Sequence, residues 1–145
     1  MATIAKKKYK IEIDELPLVN DVSAVYNYIN TVKIDLNFFK YLDSIIGLND
    51  TVLSKWLNIT TRTMHNYKTR SVVDLKDNTK EQIVLLLALY KHGINVFNTS
   101  DKFEEWLKSK NILLGNKQPL DFLNTATGIQ FIDRRLTAIE FGDNV

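Results

Sequence analysis

A chain of 145 residues, 45% apolar and 25% charged, can bury one compact core or two small ones and has the make-up of an ordinary globular protein. It has no cysteine, which excludes disulfides, thiolate metal sites and cysteine nucleophiles, and its two histidines, His65 and His92, leave little to ligate a metal, so no metal or other cofactor is expected. The net charge of +2 hides an asymmetry: residues 1–70 hold ten Lys/Arg against seven Asp/Glu, and residues 71–145 nine against ten.

The longest apolar run, Ile83 to Tyr90, is broken by Lys91-His92-Gly93 and falls well short of the ~20 residues that cross a bilayer. The N-terminus lacks the apolar stretch of a signal peptide, and the expectation is a cytoplasmic protein.

Residues 1–20 read as a flexible basic arm. Lys6, Lys7, Lys8 and Lys10 crowd together, Leu16-Pro17 disfavours a helix through that point, and Tyr9, Ile11 and Ile13 alternate with Lys10, Glu12 and Asp14 as in a short strand or extended segment. Such an arm can touch DNA phosphates or remain a solvated tail. Asp21 opens a helical pattern with Val22, Val25, Tyr26 and Ile29, and Leu36, Phe39, Leu42, Ile45 and Ile46 make a second stripe with Gly47 placed as its C-cap.

Two short helices follow, Asp50 to Leu57 and Thr61 to Thr69, separated by Asn58-Ile59-Thr60, the spacing of a helix-turn-helix within the region 21–75. That motif needs a small residue where its helices cross and a turn residue that tolerates positive φ. Ser54 and Asn58 fill those positions, with Leu53, Leu57, Ile59, Met64 and Tyr67 buried and Thr60 as the second cap. On this register Thr61, Arg62, His65, Asn66 and Lys68 project outward from the helix that such motifs lay in the major groove. Arg62 and Asn66 suit guanine and adenine edges, while Lys55, Lys68 and Arg70 suit phosphates. The same residues also make an ordinary solvated face.

From Gln82 to Phe97 runs a helix with apolar residues on nearly every side, which must therefore be central, after a soft boundary near residues 71–80. Ser100 and Asp101 can cap a helix bearing Phe103, Trp106 and Leu107; Thr125 or Thr127 can cap a last helix carrying Ile129, Ile132, Leu136 and Ile139. Between them Gly115 supplies positive φ, Pro119 favours the start of a short segment Leu120 to Leu123, and Gly128 permits close helix approach. The fold class is all-α.

The residues Phe103-Glu104-Glu105-Trp106-Leu107, Asn111, Leu114-Gly115, Pro119-Leu120-Asp121-Phe122-Leu123, Thr125, Gly128 and Ile139-Glu140-Phe141-Gly142 resemble the toxin-binding domain of Xre/MbcA/ParS-type antitoxins. The resemblance implies an Xre-like helix-turn-helix half followed by a central helix and a small helical toxin-binding domain within residues 76–145, the domain itself at about 98–145. It further implies a type II antitoxin that covers the active site of a cognate toxin, commonly a RES-domain NAD-consuming or related ADP-ribosylating enzyme. Autorepression through operator DNA, as a homodimer, would accompany that role. Two departures are Asn116, where the family more often has a second glycine, and the short tail after Gly142, which argues against a plug-like terminus.

The polar residues expected to face outward around the turns and last helix are Lys117, Gln118, Asp121, Asn124, Gln130, Arg134 and Arg135. The candidate toxin anchors are Phe131, Arg134, Arg135 and Phe141, with the core as the other place for the two phenylalanines. An acidic or amide group imitating substrate phosphates, or plain bulk, could do the blocking. A stand-alone helix-turn-helix regulator whose C-terminal module dimerises or senses a ligand is the alternative. An enzyme is not expected: the sequence clusters no His/Asp/Glu set and no glycine-rich phosphate loop, and Glu104 and Glu105 point about 100° apart on a helix.

Overall fold

The computed structural model describes residues 11–142, and among them it is all-α, with seven α-helices and three 3₁₀ turns. The α-helices are α1 (Val22–Thr31), α2 (Leu36–Ile45), α3 (Asp50–Leu57), α4 (Thr61–Thr69), α5 (Asp77–Phe97), α6 (Ser100–Lys108) and α7 (Ala126–Glu140). Six of them begin on an Asp, Asn or Thr whose side chain accepts a bond from the first turn: Asp21, Asp35, Asn49, Thr60, Thr99 and Thr125. Thr99, rather than Ser100 or Asp101, caps α6 by accepting from the Lys102 amide at 3.1 Å.

The centre of the molecule is α5, which packs against α1, α2, α3, α6 and α7. Ile83, Val84, Leu86, Leu87, Leu89 and Tyr90 are completely buried, so this helix is apolar on all sides because it has neighbours on all sides. One contiguous core runs from Leu36 and Leu53 through α5 to Leu107, Ile132 and Leu136, crossing the boundary expected near residues 71–80. At the end of α5, Asn98 takes φ 78 and turns the chain so that α6 folds back. The close approach of α6 needs Gly93, since a Cβ there would sit 2.5 Å from the Phe103 ring. Phe103 then stacks with Phe97 and Trp106 and takes the edge of Tyr90 at 5.0 Å.

Three expectations change. The basic cluster at residues 6–10 lies outside the described residues, but residues 11–20 are packed: Ile11, Leu16 and Val19 are buried and Ile13–Glu15 is a 3₁₀ turn rather than a strand. The apolar side chains that matter there, Ile11, Leu16 and Val19, do not alternate, and burying them outweighs the freedom of a loose arm. Gly47 is no left-handed cap; α2 ends on Ile46 in extended conformation. Instead the Gly47 amide donates to the Glu104 carboxylate at 2.9 Å, and a Cβ at 47 would sit 2.8 Å from that carboxylate's Oε1.

Candidate functional site

The α3–α4 pair has the expected local chemistry. Asn58 sits at φ 56, ψ 42, in the left-handed region, and its amide together with that of Ile59 closes α3 on the Lys55 and Ser54 carbonyls. Ser54 is buried at the crossing, with Leu53, Leu57, Met64 and Tyr67, and Thr60 caps α4 by accepting from the Thr63 amide at 3.1 Å. Trp56, not singled out from the sequence, is also buried, 2% exposed.

Thr61, Arg62, His65 and Lys68 are exposed along α4 and Asn66 is half-buried beside them; Arg70 follows the helix and Lys55 is exposed on α3. Thr61, His65 and Lys68 recur at offsets of four and three and share one stripe, flanked by Arg62 and Asn66. Lys68 is not a free cation: its ammonium lies 2.7 Å from Asp50 and 3.7 Å from Asp43, and the Asp50 bond holds its pKa above the usual lysine value. Lys55, Arg62 and Arg70 are exposed cations on and beside this helix pair.

The C-terminal half consists of α6, a tight turn over residues 111–117, a 3₁₀ turn Pro119–Phe122, and α7. Gly115 takes φ 66 and Asn116 φ 63, so the asparagine adopts the conformation that a glycine there would. Gly128 is indispensable to the packing because a Cβ would collide with the Phe122 carbonyl oxygen. Ile129, Ile132 and Leu136 are buried along α7, leaving Phe131, Arg134 and the partly covered Arg135 on its opposite face. Phe131 is 42% exposed and rests on the half-buried Phe122 at 5.5 Å; Phe141 is 83% exposed. Neither phenylalanine is core. Lys117 and Asp121 are exposed and Gln118 is half-buried; Asp121 accepts from the Gln118 amide at 3.3 Å and so also shapes its own turn.

Two polar clusters were not legible in the sequence. Glu104 is 5% exposed and accepts from the Tyr90 hydroxyl at 2.7 Å and the Gly47 amide. Burial and the neighbouring Glu104 carboxylate push the Tyr90 hydroxyl well above its usual pKa. The second cluster corrects the expectation of scattered His, Asp and Glu: His92 bonds Asp133 through Nδ1 at 2.7 Å and Glu140 through Nε2 at 2.8 Å. Asp133 also accepts from the Asn20 amide at 2.6 Å, which ties the segment before α1 to α7. A neutral imidazole can donate from only one nitrogen, whereas two carboxylates face this ring; the Asp133 bond, then the Glu140 bond, raise the His92 pKa against the lowering effect of burial. This group lines a cleft of about 730 Å³ between residues 17–23, α5 and α7. Among the described residues no set of three or more His, Cys, Asp or Glu is arranged to hold a metal ion, and no helix is long and apolar enough to cross a membrane.

The α6-to-α7 half is also the stretch that known proteins resemble. Residues 92–142 match the family model of the antitoxin Xre/MbcA/ParS C-terminal toxin-binding domain. The matched stretch opens at His92 in the last turns of α5 and closes at Gly142, and it contains every residue on which the sequence resemblance rested. A comparison with curated proteins gave no match.

Proposed function

We propose that this chain is the antitoxin of a type II toxin-antitoxin system, neutralising a cognate RES-like NAD-consuming or ADP-ribosylating toxin by covering its active site. The observation that carries the reading is the toxin-binding-domain match over residues 92–142, borne by α6, two turns and α7. The outward side of that half offers anchors of the kind that dominate protein interfaces: Phe131, Arg134, Arg135 and Phe141, with Lys117, Gln118 and Asp121 on the adjoining turns.

The α3–α4 pair supports a second role, autorepression through operator DNA. Its left-handed Asn58, buried Ser54 and outward Arg62, Asn66 and His65 suit a reading helix with Arg62 and Asn66 on base edges and Lys55 and Arg70 on phosphates. Readers of this kind bind paired half-sites, hence a homodimer. Lys68, already paired with Asp50 and Asp43, contributes little.

Copurification tests the toxin half: the full chain, co-expressed with the product of its adjoining gene, forms a stable complex and suppresses that product's NAD-consuming activity. Operator binding tests the other half. Affinity for the upstream DNA falls linearly on a log–log plot as salt rises, with a slope of about −0.9 per phosphate contacted, and Arg70→Ala makes that slope shallower by about one contact. Arg62→Ala weakens specific binding by about 1–3 kcal/mol. A salt-independent interaction, or equal affinity for unrelated DNA, removes this role.

A further inference from the structure

The turn between α6 and the 3₁₀ segment Pro119–Phe122 presents two aliphatic side chains to solvent and is built so that they stay there. Asn111 is 7% exposed and makes most of the bonds that hold the turn. Its Oδ1 accepts from the Leu113 amide at 2.9 Å, its carbonyl accepts from the Leu114 and Asn116 amides at 2.9 Å, and its own amide donates to the Lys117 carbonyl at 3.0 Å. Leu114 is anchored in the core, and the two left-handed residues after it bring the chain back. With its backbone so bonded, the turn is held open: Ile112 is 81% exposed and Leu113 54%.

A single exposed leucine means nothing, but two adjacent aliphatic residues on a bonded, preorganised turn give an interface anchor whose ordering cost is already met within the fold. The charge around them selects the partner. Lys108, Lys110 and Lys117 are exposed on either side, and no carboxylate occurs in the chain between Glu105 and Asp121. Such a surface repels a basic partner and complements an apolar pocket with an acidic rim. Aliphatic side chains offer no stacking face for bases, which disfavours nucleic acid.

We propose that this turn is a docking knob, with Ile112 and Leu113 entering an apolar pocket on the toxin and Lys108, Lys110 and Lys117 facing carboxylates around its rim. The inference rests on the antitoxin reading above, since the turn lies inside the matched domain. It gives the interface a centre other than α7, and one made of different chemistry.

The test measures dissociation constants for the full chain against the adjoining gene's product, comparing wild type with the Ile112→Ser/Leu113→Ser double variant and with Lys108→Glu/Lys110→Glu/Lys117→Glu. The serine variant keeps its melting temperature, because both side chains are exposed, and binds about ten- to a hundredfold more weakly. The glutamate variant associates at least about tenfold more slowly at low salt, and the difference shrinks as salt rises. A wild-type complex that the serine variant reproduces at equal affinity overturns this inference while leaving the antitoxin role intact. Absence of any wild-type complex overturns both. Binding of the wild type, but not the serine variant, to phosphatidylserine-containing vesicles, with the protein complex unaffected, shows a lipid surface to be the partner and likewise overturns the knob.

Discussion

The side-chain amide of Asn58 donates to the backbone carbonyl of Asn124 at 2.9 Å, joining the turn of the α3–α4 pair to the segment that leads into α7. It does not act alone: Trp56 donates from its indole nitrogen to the Leu120 carbonyl at 3.0 Å, and the buried Gln82 reaches both the Trp56 and Leu123 carbonyls at 2.8 and 3.3 Å. The surface proposed for DNA and the domain proposed for the toxin are therefore fastened at residues 120–124. Asn58 has two separable jobs, a left-handed backbone and a bond across the junction. Asn58→Gly keeps the first and loses the second, and it should cost at most about 1 kcal/mol, while Asn58→Ala loses both and should cost about 1–3 kcal/mol. Denaturant titration of the two variants checks this; equal losses would mean that the backbone conformation contributes nothing.

Glu104 gives a second prediction, because its carboxylate is buried and satisfied from two directions. Glu104→Ala strands the Tyr90 hydroxyl and the Gly47 amide and opens a void, and it should destabilise the protein by about 3 kcal/mol or more. Tyr90→Phe removes one donor and leaves Glu104 with Gly47, at a cost of about 1–2 kcal/mol. Denaturant midpoints that put the Glu104→Ala loss below that of Tyr90→Phe would contradict the account.

His92 makes stability depend on pH in a definite direction. Its folded pKa lies above the usual value of about 6.5, so the native state holds a proton that the unfolded chain has already released. The stabilisation is fully present below about pH 6.5 and is lost as pH rises through the folded value. Thermal melts of the wild type should therefore show the melting temperature falling across that interval, with a flatter profile for His92→Gln. A melting temperature that rises there would reverse the sign and show that His92 stands neutral between Asp133 and Glu140.

What could be read in the sequence and what could not divide along the range of the signals. The two short helices α3 and α4 and their spacing, Asn58 in the left-handed region, the Thr60 cap and the all-round burial of α5 are local properties, each set by residues within a few positions of one another. The resemblance to the toxin-binding-domain family over residues 92–142 was legible as well, through residue types at fixed offsets. The long-range polar contacts were not. His92 meets Asp133 and Glu140 across 41 and 48 residues, and only the seven-residue spacing of the two acids on α7 hinted that they share a side. Glu104 carries the residue type least expected in a core, and its partner at 47 is a backbone amide, which no side-chain pattern can show. Nothing in the sequence marked Ile112 and Leu113 as exposed; the bonds centred on Asn111 are what hold them outward.

The central claim, that this protein acts by presenting surfaces to a toxin rather than by transforming a substrate, is tested most directly by growth. The product of the adjoining gene is expressed in a heterologous host, alone and together with the full chain. The account predicts arrest with the partner alone and restored growth with both, accompanied by a copurifying complex. A partner harmless by itself, or an arrest that persists although the full chain is present in folded form, would contradict it.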